Sequence, residues 1–374
     1  MDKKKILIIS QRFFPAPSPR SYRATELAKE MARQGHDVTV YAVLGNFNYS
    51  SFEKEFNLKI RNIGKPCFAI LNSDNYVRHT FLDRALKKIL NSILEFPDIE
   101  LTFRMFQILR VEQNVDLLIT VTNPHPINWG CALAKHFNKR IFPKIWIADC
   151  GDPYMGNAIR KHPPYFYFKY IERGFCRMAD FISVPFEGAI DAYYPEFHEK
   201  IRVIPQGFKF DECTYKDEPM KNLIPTFAYA GGFIKEYRDP TMFLDYLSDL
   251  HVQFKFVIFT SDISLIEPFI EKLKGKMEIH PYIPRNELLL ILKGMDFLLN
   301  IENETAVHLP SKLIDYAIAG RPILSIKSKN IEKLKVLNFL NGDYSLQLKV
   351  ELDKYKISKV VQQFLDLQNS KKAY

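Results

Sequence analysis

Apolar residues along this chain fall into short unbroken runs, separated by longer stretches in which they recur every three or four positions. Unbroken runs read as strands buried on both faces, and the longer period reads as helices covering them. Ile6–Ile9 is the first run, and Ser21–Gln34 is the first helix, with Leu27, Ala28, Met31 and Ala32 on its inner side. Gly35 stops that helix and Val38–Val43 is the next strand, which makes a β-loop-α-β unit and predicts a parallel sheet. Residues 45–80 show no regular pattern. Thr80–Phe96 reads as an amphipathic helix, with Leu82, Leu86, Ile89, Leu90 and Ile93 opposite Arg84, Lys87 and Lys88. Such a helix can lie on an anionic membrane, but packing on its own domain is the expected use.

Strands follow at Leu117–Val121, Ile145–Ala148, Phe181–Val184 and Ile201–Ile204, with helices over Ile127–Phe137 and Tyr165–Met178. Pro205–Pro225, charged and proline-containing with little periodicity, reads as a linker with a surface loop. Beyond it the alternation resumes, with strands near Phe227–Ala230, Phe254–Phe259, Met277–His280, Phe297–Asn300 and Ile323–Ile326, helices between them, and a last helix at Ile357–Leu367. The pattern predicts two doubly wound α/β domains: 1–204, 205–355, and a tail 356–374 that crosses back to the first.

Ligands of such sheets bind beyond the carboxyl ends of the strands, so the loops there hold the candidate chemistry. In the first half these are the proline-rich Gln11–Arg20, Thr122–Pro126 with His125, and Asp149–Pro153 with Asp149 and Asp152. Asp149 and Asp152 can serve chemistry or cap the following turn. Arg20 and Arg23 either hold an anion or are solvated. In the second half, Gly231–Arg238 brings two glycines, Lys235 and Arg238 to the rim. Leu309–Ser325 then places Pro310 and Ser311 at a helix start, with Lys312 beside them and Asp315 one turn in; Gly320 closes the helix. Free N–H groups, a positive dipole end and an ammonium suit phosphate, and the carboxylate suits a diol.

Composition narrows the partners. The 374 residues carry a net charge of +9, with 28 Lys and Arg against 21 Asp and Glu in residues 1–200 and 24 against 22 in the rest. A basic first half calls for an anionic partner. No zinc-finger or RNA-binding motif is present, which argues against nucleic acid. Five scattered cysteines, with no CxxC pair, indicate neither a disulfide framework nor a zinc site and fit a reducing cytosol. No run is long enough for a signal peptide or a spanning helix, so a cytoplasmic protein touching a membrane at most from that side is expected. The aromatic run from His162 to Phe168 is expected to pack beneath a loop rather than form a sugar platform.

Several segments together resemble the GT-B glycosyltransferases, and among them the retaining family-4 group. ILIISQRFFPAPSPRSYRATELAKEMARQGHDVTVYA resembles the family's opening unit, TVTNPHPINWGCALAKHF a segment with Pro-Pro-His after a strand, and WIADCGDPYMG the "DfRDPW" variant. FCRMADFISVPFEGAIDAYYP with KIRVIPQGFKFD resembles the passage into the second domain, FAYAGGFIKEYRDPTMFLDYL the donor-domain opening, and LPSKLIDYAIAGRPIL the "PSKlfEYmAaGkPvi" helix. They occur in the family's order across nearly the whole chain.

The resemblance implies two Rossmann-like domains facing across a cleft, an acceptor-binding domain first and a nucleotide-sugar donor domain second. It implies pyrophosphate contact by the backbone of Pro310, Ser311, Lys312 and Leu313, and ribose contact by Asp315, where the family has Glu. Val307 stands where the family has a second Glu, and Gly232 where it has an Arg whose charge Lys235 or Arg238 would supply. Gly231 and Gly232 would let the backbone approach the donor, and Ser18, Arg20 and Arg23 would meet the acceptor. His125 and Asp152 are the candidate assisting residues. With no DxD pair in the second half, metal independence and no cofactor are expected. Retention would then proceed by same-face attack, the departing phosphate helping to deprotonate the acceptor, a glycan or lipid-linked intermediate. A nucleotide-sugar epimerase of the same architecture and a degenerate, non-catalytic binding protein are the alternatives.

Overall fold

A computed structural model describes residues 2–64, 81–157, 163–210, 222–302 and 311–370. Val307, Pro310 and His162 lie outside the described residues. The chain forms two compact units, Met1–Lys209 with Lys354–Tyr374 and Phe210–Asp353.

The first unit contains β1 (Lys5–Ser10), α1 (Pro19–Arg33), β2 (Asp37–Ala42), α2 (Ser50–Phe56), β3 (Lys59–Asn62), α3 (Phe81–Leu94), α4 (Glu100–Val111), β4 (Leu117–Thr122) and α5 (Pro126–Phe137). β5 (Ile145–Cys150), α6 (Phe168–Met178), β6 (Phe181–Val184) and β7 (Ile201–Val203) follow. Its seven strands pair in parallel in the order β3-β2-β1-β4-β5-β6-β7. β4 and β5 are buried at every position, which explains their uninterrupted apolar character. Within β5, Trp146 and Ala148 face one core and Ile145 and Ile147 the other. The first core is closed by α4, α5 and α6 through Met105, Trp129 and Phe175, the second by α1 through Leu27 and Met31.

The second unit contains β8 (Thr226–Ala230), α7 (Thr241–Ser248), β9 (Lys255–Phe259), β10 (Met277–His280), α8 (Arg285–Lys293), β11 (Phe297–Glu302), α9 (Ser311–Ala319), β12 (Ile323–Lys327) and α10 (Lys333–Leu340). Its five strands are parallel in the order β10-β9-β8-β11-β12. The last helix, α11 (Ile357–Ser370), belongs to the first unit, where Val360, Val361 and Phe364 are fully buried in the core shared with α1. Gly320 ends α9 at φ 68°, the left-handed backbone expected of a helix-closing glycine.

Several sequence expectations are corrected. The stretch 45–80 holds α2 and β3, whose short, half-exposed patterns give weak periodicity. Residues 97–116 contain α4, which packs so closely on α5 that a Cβ on Gly130 would lie 2.3 Å from the Thr102 carbonyl oxygen. α1 starts two residues before the predicted Ser21, because Pro19 enters its first turn and Ser18 caps it. Between β9 and β10 the described residues form turns and a 3-10 segment, Glu267–Phe269, rather than an α-helix. α3 is amphipathic, but Ile89, Ile93 and Leu94 are exposed rather than packed inward. The aromatic run divides: Phe168 is buried, while Tyr165 and Phe166 are exposed.

Candidate functional site

In the second unit the strand order reverses between β8 and β11. The loop after β8 and the start of α9 therefore flank the crevice that open parallel sheets offer to ligands. Gly231 leaves β8 at φ 141°, a conformation glycine adopts readily, and its N–H donates to the Phe259 carbonyl at 2.9 Å. The loop then closes on itself, with paired backbone bonds between Ile234 and Arg238, the shorter 2.8 Å. Gly232 and Lys235 are exposed and Arg238 is half-buried.

Lys312 comes to this loop from α9. Its ammonium is buried 4.2 Å over the Tyr229 ring, and among the described residues it has no hydrogen-bond partner. Burial, with Arg238 adding like-charge repulsion, lowers its pKa to about 7. The Arg238 Nε is likewise buried without a partner among the described residues. Tyr229 is held in place by its hydroxyl, which donates to the Gly232 carbonyl at 3.0 Å, and by stacking on Phe233 at 4.5 Å. The buried Tyr316 hydroxyl accepts from the Ala230 N–H at 2.8 Å, fixing α9 to the end of β8. Ser311 is the first residue of α9 and Leu313 is a core residue, so only the backbone of Leu313 is available to a ligand.

One turn into α9, Asp315 accepts from Arg285 at the start of α8. Nε lies 2.8 Å and Nη2 2.7 Å from the same oxygen, Oδ1. Burial raises the Asp315 pKa and Arg285 opposes the rise. Arg285 escaped the sequence reading, because its partner lies thirty positions away. Glu302, at the end of β11, accepts from Ser325 at 2.9 Å.

In the first unit the order reverses between β1 and β4. Ser18 Oγ accepts the Ser21 N–H at 3.2 Å, a cap at the start of α1. Arg23 corrects the expectation of an acceptor contact or a solvated charge: it is buried and bonded to Asp149, Nη2 to Oδ1 at 2.7 Å and Nε to Oδ2 at 3.0 Å. It also donates to the carbonyls of Ile204 and Pro205. Arg20 reaches the same Asp149 at 3.3 Å and stays half-buried. Asp149 is therefore a strand residue in a buried ion cluster with Ser183, not a turn cap. Burial alone would raise its pKa, but Arg23 and Arg20 outweigh that and hold it below the ordinary range.

His125 is half-buried before α5, its ring 5.1 Å from that of Tyr154; Asp152 is exposed in the bend before that tyrosine. The Tyr154 hydroxyl donates to Glu95 at 2.6 Å, and Gln11, just after β1, donates to Asp98 at 3.0 Å. Burial and the nearby Glu95 raise the Asp98 pKa. Glu95 and Asp98 thus join the rim of His125, though no sequence motif marked them. The only cue was a Pro97-Asp98 helix-start signal before α4.

No family model and no curated protein matches the chain. Solved structures do. A glycosyltransferase from Rickettsia africae shares 13% identity over 99% of both chains, with a TM-score of 0.64. The lipopolysaccharide outer core galactosyltransferase WaaB shares 12% over 98% of this chain and 99% of its own, with a TM-score of 0.60. Anabaena HepE, solved in complex with UDP-glucose, shares 9% over 98% and 100%, with a TM-score of 0.54. At these identities the likeness establishes the fold: the chain has the GT-B architecture of two Rossmann-like domains, as the resemblance of its motifs implies.

Proposed function

We propose that the protein is a glycosyltransferase that moves a sugar from a nucleotide-sugar donor to a polysaccharide, lipopolysaccharide or glycolipid intermediate on the cytoplasmic side of a membrane. The observation that carries this reading is the buried Lys312 ammonium beside the Arg238 guanidinium, two cationic groups with no anion among the described residues to meet them. Buried polar groups in native proteins are almost always satisfied, and a lone pair of cations is satisfied by an anion. A diphosphate supplies it. The α9 N-terminus adds the backbone N–H groups of Ser311, Lys312 and Leu313 as donors, and Gly231 and Gly232 allow close approach. Asp315, oriented through Oδ1 by Arg285, offers Oδ2 to ribose hydroxyls.

Breaking the sugar–phosphate bond leaves charge on the departing diphosphate. Lys312, Arg238, Lys235 and the helix dipole stabilise that charge as it develops, so the transfer proceeds without a metal ion. Retention follows from same-face attack, and His125 and Asp152 are the groups assigned to assist the acceptor hydroxyl. Ser18 and Arg20 line the acceptor side.

A thermal-shift panel of nucleotides and nucleotide-sugars tests the donor site. One nucleoside diphosphate raises the midpoint, and Lys312→Ala and Asp315→Ala each abolish the rise without lowering the unliganded midpoint by more than a few degrees. No response to any diphosphate would refute the donor reading. Turnover of the matching sugar with an acceptor extract, in the presence of a chelator, then reads the transferase activity, its metal independence and the anomeric outcome.

A further inference from the structure

Two guanidinium groups and one carboxylate meet at the end of β5, so one positive charge is left over. It does not reside on Arg23, whose three nitrogens all donate: Nε and Nη2 to Asp149, Nη2 also to the Ile204 carbonyl, and Nη1 to that of Pro205. Arg20 is different. It gives Asp149 a single bond, Nη1 to Oδ2 at 3.3 Å, and its other N–H groups have no partner among the described residues. Its side chain is 22% exposed. The neighbouring carboxylates do not take up the charge. Glu95 accepts from Tyr154 and Asp98 from Gln11, and the exposed Asp152 forms no ion pair among the described residues.

Arg20 is held in place. Its guanidinium lies where a side chain on Gly151 would be: a Cβ there would stand 1.7 Å from Nη2 and 2.3 Å from Cζ. Only glycine at 151 leaves that position to the arginine. Arg20 also sits in the first turn of α1, where the helix dipole adds to its charge. A guanidinium fixed this way offers a fork of donors to a phosphate or a carboxylate. The loop leading into α1 adds apolar rings. Phe14 is 36% exposed and Phe47, in the loop after β2, 44%, their rings edge to face at 5.4 Å. The Phe14 N–H donates to Thr25 Oγ1 of α1 at 3.2 Å, and its carbonyl accepts from the Tyr49 hydroxyl, so both loops are tied down. Aromatic faces suit the C–H face of a pyranose ring, with a few placed polar groups setting its orientation.

We propose that Arg20 recognises the anionic group, a phosphate ester or a carboxylate, of a sugar bound at the crevice of the first unit. The excess of Lys and Arg over Asp and Glu in residues 1–200 agrees with such a ligand. That this sugar is the acceptor of the transfer rests on the transferase reading; the binding itself does not.

Ligand-observed NMR titration of the full-length chain carrying Lys312→Ala, which disables the proposed diphosphate site, tests it. Glucose 1-phosphate or glucuronate binds about tenfold or more tightly than methyl glucoside, the first result indicating a phosphate ester and the second a carboxylate. Arg20→Gln, added to that chain, removes the preference. Gly151→Ala keeps the charge but displaces the guanidinium, and weakens binding of the anionic sugar about tenfold. Neither change lowers the thermal midpoint by more than a few degrees, because Arg23 still neutralises Asp149. Binding of both anionic sugars no tighter than that of methyl glucoside, or an undiminished preference in Arg20→Gln, overturns the proposal. Inorganic phosphate binding as tightly as glucose 1-phosphate identifies a free-ion site and also overturns it. The diphosphate thermal shift of the unaltered chain is measured in parallel: its absence refutes the donor site without touching the sugar titration.

Discussion

At the scale of single residues, Lys312 and Asp149 show opposite uses of a buried charge. The Lys312 pKa falls from an ordinary 10.5 to about 7. Between those values the unfolded chain holds a proton that the folded chain lacks, so stability rises with pH across that window. Lys312→Met should flatten the rise, read as the thermal midpoint against pH. A bound diphosphate restores the proton, so its affinity should weaken as pH climbs above 7, with proton uptake visible by calorimetry in buffers of different ionisation enthalpy. Asp149 is the reverse case, a carboxylate held below its ordinary pKa by Arg23 and Arg20 after the cost of burial. Its stabilisation is present at neutral pH and is lost as pH falls through the folded-state value. Asp149→Asn should cost about 3–5 kcal/mol in urea unfolding, because it strands Arg23 in the interior. Lys312 was legible from its place beside a proline-started helix. Arg23 was not, because a surface arginine and a buried one look alike until the strand carrying Asp149 is placed beside α1.

At the scale of elements, the strands and their order of alternation were written in the apolar runs, since a strand covered on both faces has no polar side to show. The weaker elements were not. α2 and β3 lie toward the edge of the sheet, and α4 is announced only by the Pro97-Asp98 pair before it. Gly130 records the presence of α4 indirectly, because the helices touch where it lacks a side chain. Gly130→Ala should therefore destabilise the first unit by about 1–3 kcal/mol, measured by urea unfolding, with the diphosphate-induced shift intact. The amphipathic period of α3 was read correctly from sequence, but periodicity does not say what covers the apolar side. Ile89 and Ile93 face solvent in the folded chain.

At the scale of the whole molecule, the chain closes its first unit with its last helix. Val360, Val361 and Phe364 are fully buried against a core whose members outside this helix lie between Ile6 and Ile204. Removing residues 357–374 should expose that core, lower the midpoint of the first unit by ten degrees or more, on the order of several kcal/mol of lost burial, and promote aggregation on heating. Differential scanning calorimetry checks this, and an unchanged first-unit transition would show that α11 is dispensable.

The pattern along the sequence was enough to determine most of the alternation of strands and helices and the two-sheet architecture, because local periodicity and chain punctuation carry that information. Only the tertiary structure decided which charges are spent on one another. It placed Arg23 on Asp149 and Arg285 on Asp315, left Lys312 and Arg238 without an anion among the described residues, and turned Ile89 and Ile93 of α3 outward. The reason is physical: whether a charge is satisfied or an apolar face covered depends on neighbours distant in sequence, and those appear only when the chain has folded.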